Sequence, residues 1–539
     1  TYIAYDIIPE PLKVKTTWGL DYGYTKSNDW EDPRAVIYSG GEGAYYEFHS
    51  HDARLTNSTV VTYDKTLAET HNVNLMAGSE VIYQEYNYIE GGGKGATYQM
   101  PYLSTTQSDG QYISGNPSEL SKTSFFGRLN YNYNGKYYFQ ASIRRDGSSS
   151  FGADYKYGVF GSVSGGWTIT NEAFFNLPFI DYLKLRASYG STGNSDIGWY
   201  ASKGYYSTAN YGQGIALLPD EIQNPDLRWE RTTTTDIALD FRVLENRIDG
   251  TVEYFWAKTT DNLLYEELSY TTGHNSVLKN IGSLMNEGLE LTLNTDNIQG
   301  TFKWSTNFNI TFPTSEILDL GGKDHVGGDT YRTRVGGKYL EYWMFDYAGV
   351  NPANGMPLWY DARGNLTSNY SAAARRMVGS PEPIFYGGLG NTLSYKGISL
   401  SFNFYYTYGN EVIFSERHYT EHDGSSWGDN ANTNLLDRWQ EPGDITDTPK
   451  PIVNNPTGSN DWDNSRWVDD GSYLRLKTVS LGYSLPDKWI NSLNLSNVQV
   501  YLKGTNILTF SNVNGLDPER GAGGTGSYKY PNTRTFVLG

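Results

Sequence analysis

The residues whose types and spacing come nearest to a catalytic signature are His418-Tyr419-Thr420-Glu421-His422. They match the H-x-x-E-H arrangement, in which two imidazoles hold zinc and the carboxylate acts as base. That chemistry needs both histidines on one helical face and a third ligand. The flanking sequence is polar and has no helical periodicity, so the segment reads as a polar loop and not as a metal centre. His49-Ser50-His51 could set two imidazoles on one strand face, but it too falls in a stretch read as loop. Gly91-Gly92-Gly93-Lys94-Gly95-Ala96 has the composition of a phosphate loop without its spacing or its following helix, and is expected to be a flexible loop. Asp361-Ala362-Arg363-Gly364-Asn365 and Asp461-Trp462-Asp463-Asn464-Ser465 gather oxygens of the kind Ca²⁺ prefers, although neither is a complete ligand set. A structural Ca²⁺ in these loops is the one ion to consider; no other cofactor is expected.

There is no G-x-S-x-G elbow and no H-E-x-x-H. The absence of cysteine removes thiol catalysis, disulfides and cysteine-held metals together. The expectation is that this chain is not an enzyme. A binding surface is easier to nominate: Trp199, Tyr200, Tyr205, Tyr206 and Tyr211 crowd one long polar stretch. Aromatic faces stack on sugar rings and also grip peptides. The competing reading is that these rings pack the loop itself.

The elements that must position such residues follow a period of two. In Ile398–Tyr408 one face reads Ile398, Leu400, Phe402, Phe404, Tyr406, Tyr408, and the other Ser399, Ser401, Asn403, Tyr405, Thr407. Each such strand has one greasy and one wet face. Seventeen segments are predicted as strands: 1–8, 12–24, 55–64, 71–86, 124–133, 137–146, 158–168, 183–190, 232–243, 247–258, 287–296, 302–312, 386–395, 398–408, 473–484, 497–508 and 533–539. Many reach ten residues or more, and a strand crossing a bilayer needs ~9–11. Short turns at 9–11, 134–136, 244–246, 297–301 and 396–397 alternate with long polar connections at 25–54, 87–123, 191–231, 259–286, 313–385, 409–472 and 511–532. Short turns on one side and long loops on the other are the mark of an outer-membrane barrel. Tyr131, Tyr133, Tyr137, Tyr138, Trp167, Trp256 and Trp304 sit near strand ends, where girdle aromatics belong.

The 539 residues carry a net charge of −18, which argues against nucleic acid as partner. Mean hydropathy is −0.56, and no apolar run approaches the ~18 residues of a membrane helix. A membrane barrel averages out as hydrophilic, so this polarity is compatible with integral insertion in the lipid bilayer of a bacterial outer membrane. The amino terminus has neither the basic nor the apolar region of a signal peptide, so an internal piece of a longer chain is expected.

Ordered motifs then carry a resemblance. Phe126-Gly127-Arg128-Leu129-Asn130-Tyr131 leads to Arg144-Arg145-Asp146-Gly147-Ser148-Ser149-Ser150-Phe151-Gly152, then to Leu183-Lys184-Leu185-Arg186-Ala187-Ser188-Tyr189-Gly190 and Thr192-Gly193-Asn194. Asn286-Glu287-Gly288-Leu289-Glu290-Leu291, Gly471-Ser472-Tyr473-Leu474-Arg475-Leu476-Lys477, Leu481-Gly482-Tyr483, Leu485-Pro486 and Asp517-Pro518-Glu519 follow. Together they resemble the barrel of SusC/RagA-type TonB-dependent outer-membrane transporters of Bacteroidetes. The resemblance implies an all-β fold, a transmembrane antiparallel β-barrel of 22 strands of which about 17 are present, as one partial barrel domain over 1–539. It implies that the plug, the TonB-contacting segment and roughly five strands lie outside this chain. It further implies import of large nutrients, glycans or peptides, with TonB and a SusD-like surface lipoprotein as partners. A non-energised scaffold barrel of a secretion or adhesion assembly, or a secreted aromatic-rich glycan-binding β protein, are the alternatives.

Overall fold

The computed structural model describes residues 1–8, 11–34, 42–96, 100, 102–211, 214–414, 416–425, 428, 430–453, 455, 457–490, 495, 498–513, 517–521, 524–526 and 530–539. The residues divide into two compact units. The first holds 1–167, 188–233 and 260–281, and the second 168–187, 234–259 and 282–539.

In the first unit the chain runs as an antiparallel meander of β1 (Tyr2–Ile8), β2 (Leu12–Glu31), β3 (Ala44–Leu67), β4 (His71–Lys94), β5 (Tyr112–Tyr133), β6 (Tyr137–Ser148) and β7 (Tyr157–Thr168), each paired with the next. Strand β8 (Ile180–Asn194) follows, its residues 180–187 counted in the second unit and 188–194 in the first. Two hairpins belong to this unit: β9 (Tyr205–Tyr211) with β10 (Gly214–Glu221), and, after β11 (Glu230–Val243) and β12 (Ile248–Thr260), β13 (Leu263–Glu267) with β14 (Ser276–Asn280).

The second unit is built on β15 (Ser283–Ile298) and β16 (Phe302–Asp319), which continue into later strands. Its small inserted strands are β17 (His325–Val326), β18 (Tyr331–Arg334), β19 (Glu341–Phe345), β20 (Tyr347–Val350), β21 (Pro357–Tyr360), β22 (Leu366–Thr367) and β23 (Arg375–Gly379). Then come β24 (Phe385–Tyr395), β25 (Ile398–Tyr408), β26 (Glu411–Ile413), β27 (Val468–Asp470), β28 (Tyr473–Ser484), β29 (Gln499–Ser511) and β30 (Thr535–Leu538). The long meander is β15-β16-β24-β25-β28-β29-β30, antiparallel throughout.

Every one of the seventeen expected strands is present, and two of the short turns take left-handed backbone at the positions that carry Asn-Gly and Lys-Gly, while the turn at 244–246 does so with Leu244 and Glu245, which disfavour it. Asn134 and Gly135 have φ of 51° and 66°, and Lys396 and Gly397 have 47° and 88°, the left-handed pairs that match hairpin twist. Part of the turn at 9–11, and the expected start of a strand at 497, lie outside the described residues. The apolar face is solvent-exposed along whole strands: Leu20 is 71% exposed and Ile143 61%. Side chains that would drive collapse in a water-soluble sheet instead form a belt suited to lipid.

Two expectations are corrected. Strands β2 to β5 run far past the assigned loop boundaries, so His49, Ser50 and His51 are strand residues of β3, and Gly91 to Lys94 close β4. Beyond the bilayer neither face must be apolar, so the alternation that marks a strand fades while pairing continues. The connections at 313–385 and 409–472 are not shapeless polar loops either. They carry small sheets around Tyr342, Met344, Ile413 and Trp467, all essentially inaccessible, with Trp359 and Phe414 buried nearby.

Candidate functional site

The wet face is where strand chemistry concentrates. Against β25 the register shifts between Asn403 and Phe404, leaving Lys477 of β28 as the extra residue of a bulge, and against β29 it shifts between Leu476 and Thr478, where Asn506 and Ile507 stand opposite Lys477. A bulge re-aims the strand beside it. Arg475 therefore shares a ladder row with Tyr405 and Thr509, and is 2% exposed. Its Nε donates to Thr509 Oγ1 at 3.0 Å, while its two terminal nitrogens donate to Asp517 and Glu519. Lys477 pairs with the same Glu519. Asn532 completes the cluster: its backbone N–H donates to Asp517 Oδ2 at 3.0 Å and its amide to Glu519 Oε2 at 2.8 Å. Burial works against the Asp517 carboxylate, yet the donors from Arg475 and the Asn532 backbone hold its carboxyl below the usual range. Two cations balance two anions, as a buried group of this kind requires. Motifs widely separated in sequence, 473–477 and 517–519, thus meet in one latch that ties the connection after β29 to the strand wall.

A second wet-face cluster surrounds Arg186 of β8. Its guanidinium lies 3.3 Å from Asp236, 3.3 Å from Asp240 and 2.5 Å from Glu253, and Thr251 Oγ1 donates to Asp240 at 2.9 Å. Three carboxylates face one cation. Neither cluster was nominated from the sequence. A charged residue flanked by outward apolar neighbours, as Arg186 is by Leu185, is the only local sign of them.

The H-x-x-E-H segment is placed otherwise than zinc chemistry requires. A helical turn spans only Arg417–Thr420, so His418 and His422 share no helical face. Glu421 is buried and accepts from Arg417 at 2.8 Å and from Asn434 at 3.0 Å, while His422 Nδ1 receives the Gly424 N–H at 3.2 Å. Arg417 bridges on to Asp469 at 2.8 Å. Glu421 is thus half of a buried ion pair, where it is unavailable as a base. His49 and His51 project from one face of β3. Their rings are engaged separately, His49 with Tyr24 and Glu47 at 2.6 and 2.8 Å and His51 with Asn87 at 3.0 Å. Among the described residues no group of three His, Asp or Glu is arranged to hold a metal.

Asp361 closes a turn, accepting backbone N–H groups of Arg363 and Asn365 at 2.8 Å, and those amides lower its carboxyl. Asp463 pairs with Arg375, and the Asp461 carbonyl accepts from Trp467 Nε1 at 2.8 Å. The nominated aromatics do not form one surface. Tyr200 accepts the Glu119 N–H at 2.9 Å. Tyr205 and Tyr211 share one face of β9 but stand six residues apart, roughly 20 Å. Tyr206 takes the opposite face, and Trp199 precedes the hairpin. Tyr205 is bound up with Glu221, whose hydrogen bond pushes the phenol up to about 12.

Long strands, alternating connections, an exposed apolar belt and partly buried charge clusters on the opposite, wet face define an outer-membrane barrel. The chain belongs to the TonB dependent receptor-like β-barrel family, whose model matches residues 5–507. It is similar to TonB-dependent receptor P26 of Formosa agariphila, with 31% identity over 100% of this chain and 58% of that protein. It is also similar to TonB-dependent receptor SusC of Bacteroides thetaiotaomicron, at 28% identity over 90% of this chain and 49% of that one. Among solved structures, a chain of the RagAB peptide transporter superposes with a TM-score of 0.88 at 29% identity, covering 100% of this chain and 60% of its own length. The chain thus spans between about half and three-fifths of the length of these relatives. The SusC/RagA resemblance holds, the fold is the all-β antiparallel barrel of this family, and the protein is integral to the outer membrane. The family is one of transporters, not of enzymes.

Proposed function

We propose that this chain is the barrel of a TonB-dependent importer that carries large nutrients, glycans or peptides, across the outer membrane. The observation that carries the proposal is its superposition, over its whole length, on a chain of the RagAB peptide transporter. The similarity to SusC points the same way. On this reading the partners are TonB and a SusD-like lipoprotein seated over the long connections, whose folded cores in the second unit offer a shaped surface for a protein partner. Tyr200, Tyr205, Tyr206 and Tyr211, with Trp199, remain candidate cargo contacts on the wall of one such connection. A structural Ca²⁺ at 361–365 or 461–465 is less well supported, because backbone amides and Arg375 already satisfy those carboxylates.

The test is uptake of labelled oligosaccharides and peptides by cells with and without TonB, alongside co-purification from outer membrane. TonB-dependent accumulation and recovery of a lipoprotein support the importer. Uptake unchanged by loss of TonB would favour the scaffold reading.

A further inference from the structure

The extensions of β2 to β5 place on one face a set of side chains that the sequence scatters over ninety residues. The apolar belt identifies the outer face, through Leu20, Leu55, Tyr83 and Phe125. On the opposite face four successive ladder rows cross the four strands. The first reads Asp29, Tyr46, Gly92, Tyr112 and the second Ser27, Phe48, Glu90, Ser114. The third reads Thr25, Ser50, Tyr88, Asn116 and the fourth Gly23, Asp52, Tyr86, Ser118. Every row carries at least one ring and at least one hydrogen-bonding side chain. Rows on one face repeat about every 7 Å, so the rings form a ladder roughly 20 Å long.

Neighbouring rings run in continuity: Phe48 and Tyr88 are 5.9 Å apart with planes 25° from parallel, and Tyr86 and Tyr88 are 6.1 Å apart. In the top row a Cβ on Gly92 would lie 2.5 Å from the Tyr112 ring and 2.6 Å from that of Tyr46, so only glycine lets the two rings close over the strand. Glu90 accepts from the Tyr112 hydroxyl, and both Asp52 oxygens accept from Gln84 Nε2 at 3.0 Å. From His71 at the turn to Tyr86 is fifteen residues, beyond the ~9–11 that cross the bilayer, so the ladder stands on the long-loop side of the hydrocarbon.

We infer that this face is a binding site for a neutral, extended oligosaccharide, whose successive rings lie along Tyr112, Tyr46, Phe48, Tyr88 and Tyr86 while its hydroxyls donate to Asp29, Glu90 and Asp52. The inference rests on the importer reading and assigns its cargo class. Flat rings at a regular step suit the apolar faces of a sugar polymer. The sixteen row positions hold three carboxylates and no lysine, arginine or histidine, which repels acidic glycans and acidic peptides alike. Peptides held by strand addition need free backbone donors and acceptors, and β3 and β4 are paired along both edges here.

The experiment uses the receptor as extracted from the outer membrane and titrates it calorimetrically. The probes are neutral xylo-, manno- and malto-oligosaccharides of about four to eight units, and a pool of unmodified peptides. One of the glycans binds, and Phe48→Leu or Tyr88→Leu, which keep apolar bulk but lose the flat face, weakens it at least about tenfold. Tyr88→Phe retains affinity, which separates stacking from misfolding. Binding of peptides alone, of no probe, or of glycan with unchanged affinity in the leucine variants overturns the assignment. TonB-dependent uptake in the same variants keeps the two readings apart. If uptake persists while the leucine variants bind normally, the ladder is wrong and the importer stands; if no variant or parent shows it, the importer reading fails first.

Discussion

At the scale of single residues, Arg475 is the side chain on which most depends. It is buried against Asp517, and removing it leaves that carboxylate without its cation and away from water, while the partly exposed Glu519 keeps Lys477. Breaking a buried pair from one side costs about 3–5 kcal/mol, so Arg475→Met is expected to lower the unfolding free energy of the detergent-extracted barrel, read from its urea transition, by that amount. The Asp517 carboxyl is held below its ordinary value in the folded state. Its contribution is therefore complete above the unfolded value of about 4 and is lost as pH falls through the lower folded value. Unfolding midpoints measured from neutral to acid should be flat until about pH 4 and then decline, and Asp517→Asn should flatten that decline. Glu421 teaches the converse. Its five-residue motif was legible and its meaning was not, because Arg417 lies one helical turn earlier and claims the carboxylate.

At the scale of elements, the close pairing of β16, β24 and β25 turns on Gly387. A Cβ there would lie 2.1 Å from the Asn309 carbonyl oxygen and 2.6 Å from the Tyr406 hydroxyl, which itself donates to Asn309 O at 2.8 Å. Backbone cannot yield as a flexible side chain does, so Gly387→Ala is expected to cost about 1–3 kcal/mol. Gly23 has nothing within 4 Å of its Cβ position, and Gly23→Ala should leave the fold intact. Heat-modifiable mobility on gels distinguishes the folded from the unfolded barrel in both. The existence of the long wall strands was legible, since one lipid-facing row and one wet row impose strict alternation, whereas the short strands inside the long connections were not. Element length was not: over 44–54 and 112–123 both faces meet water, and the Thr, Ser, Asn and Tyr residues there look like loop.

At the scale of the whole molecule, the exposed apolar belt decides what the protein's solvent is. Ile143 is 61% exposed on the belt face of β6, and Gln140 lies on the opposite face of the same strand. Ile143→Lys is expected to destabilise membrane insertion by about 2–4 kcal/mol, and Gln140→Lys by little, since charge is costly only where lipid replaces water. Assembly yield in outer-membrane fractions reads out the difference. The same partition explains why a mean hydropathy of −0.56 misleads: it averages a lipid face, a wet face and large folded connections.

The sequence by itself determined the long wall strands, their two faces, the tight turns and the family, because each follows from neighbours within a few residues or from ordered motifs along the chain. Tertiary structure alone decided which wet-face groups meet. Arg475 reaches Asp517 and Glu519 through a bulge and a returning connection, and Tyr46, Tyr88 and Tyr112 share a face only through the register of β3, β4 and β5. Register is set by pairing between distant segments, and a slip of one residue would turn every one of those side chains to the opposite face of the sheet.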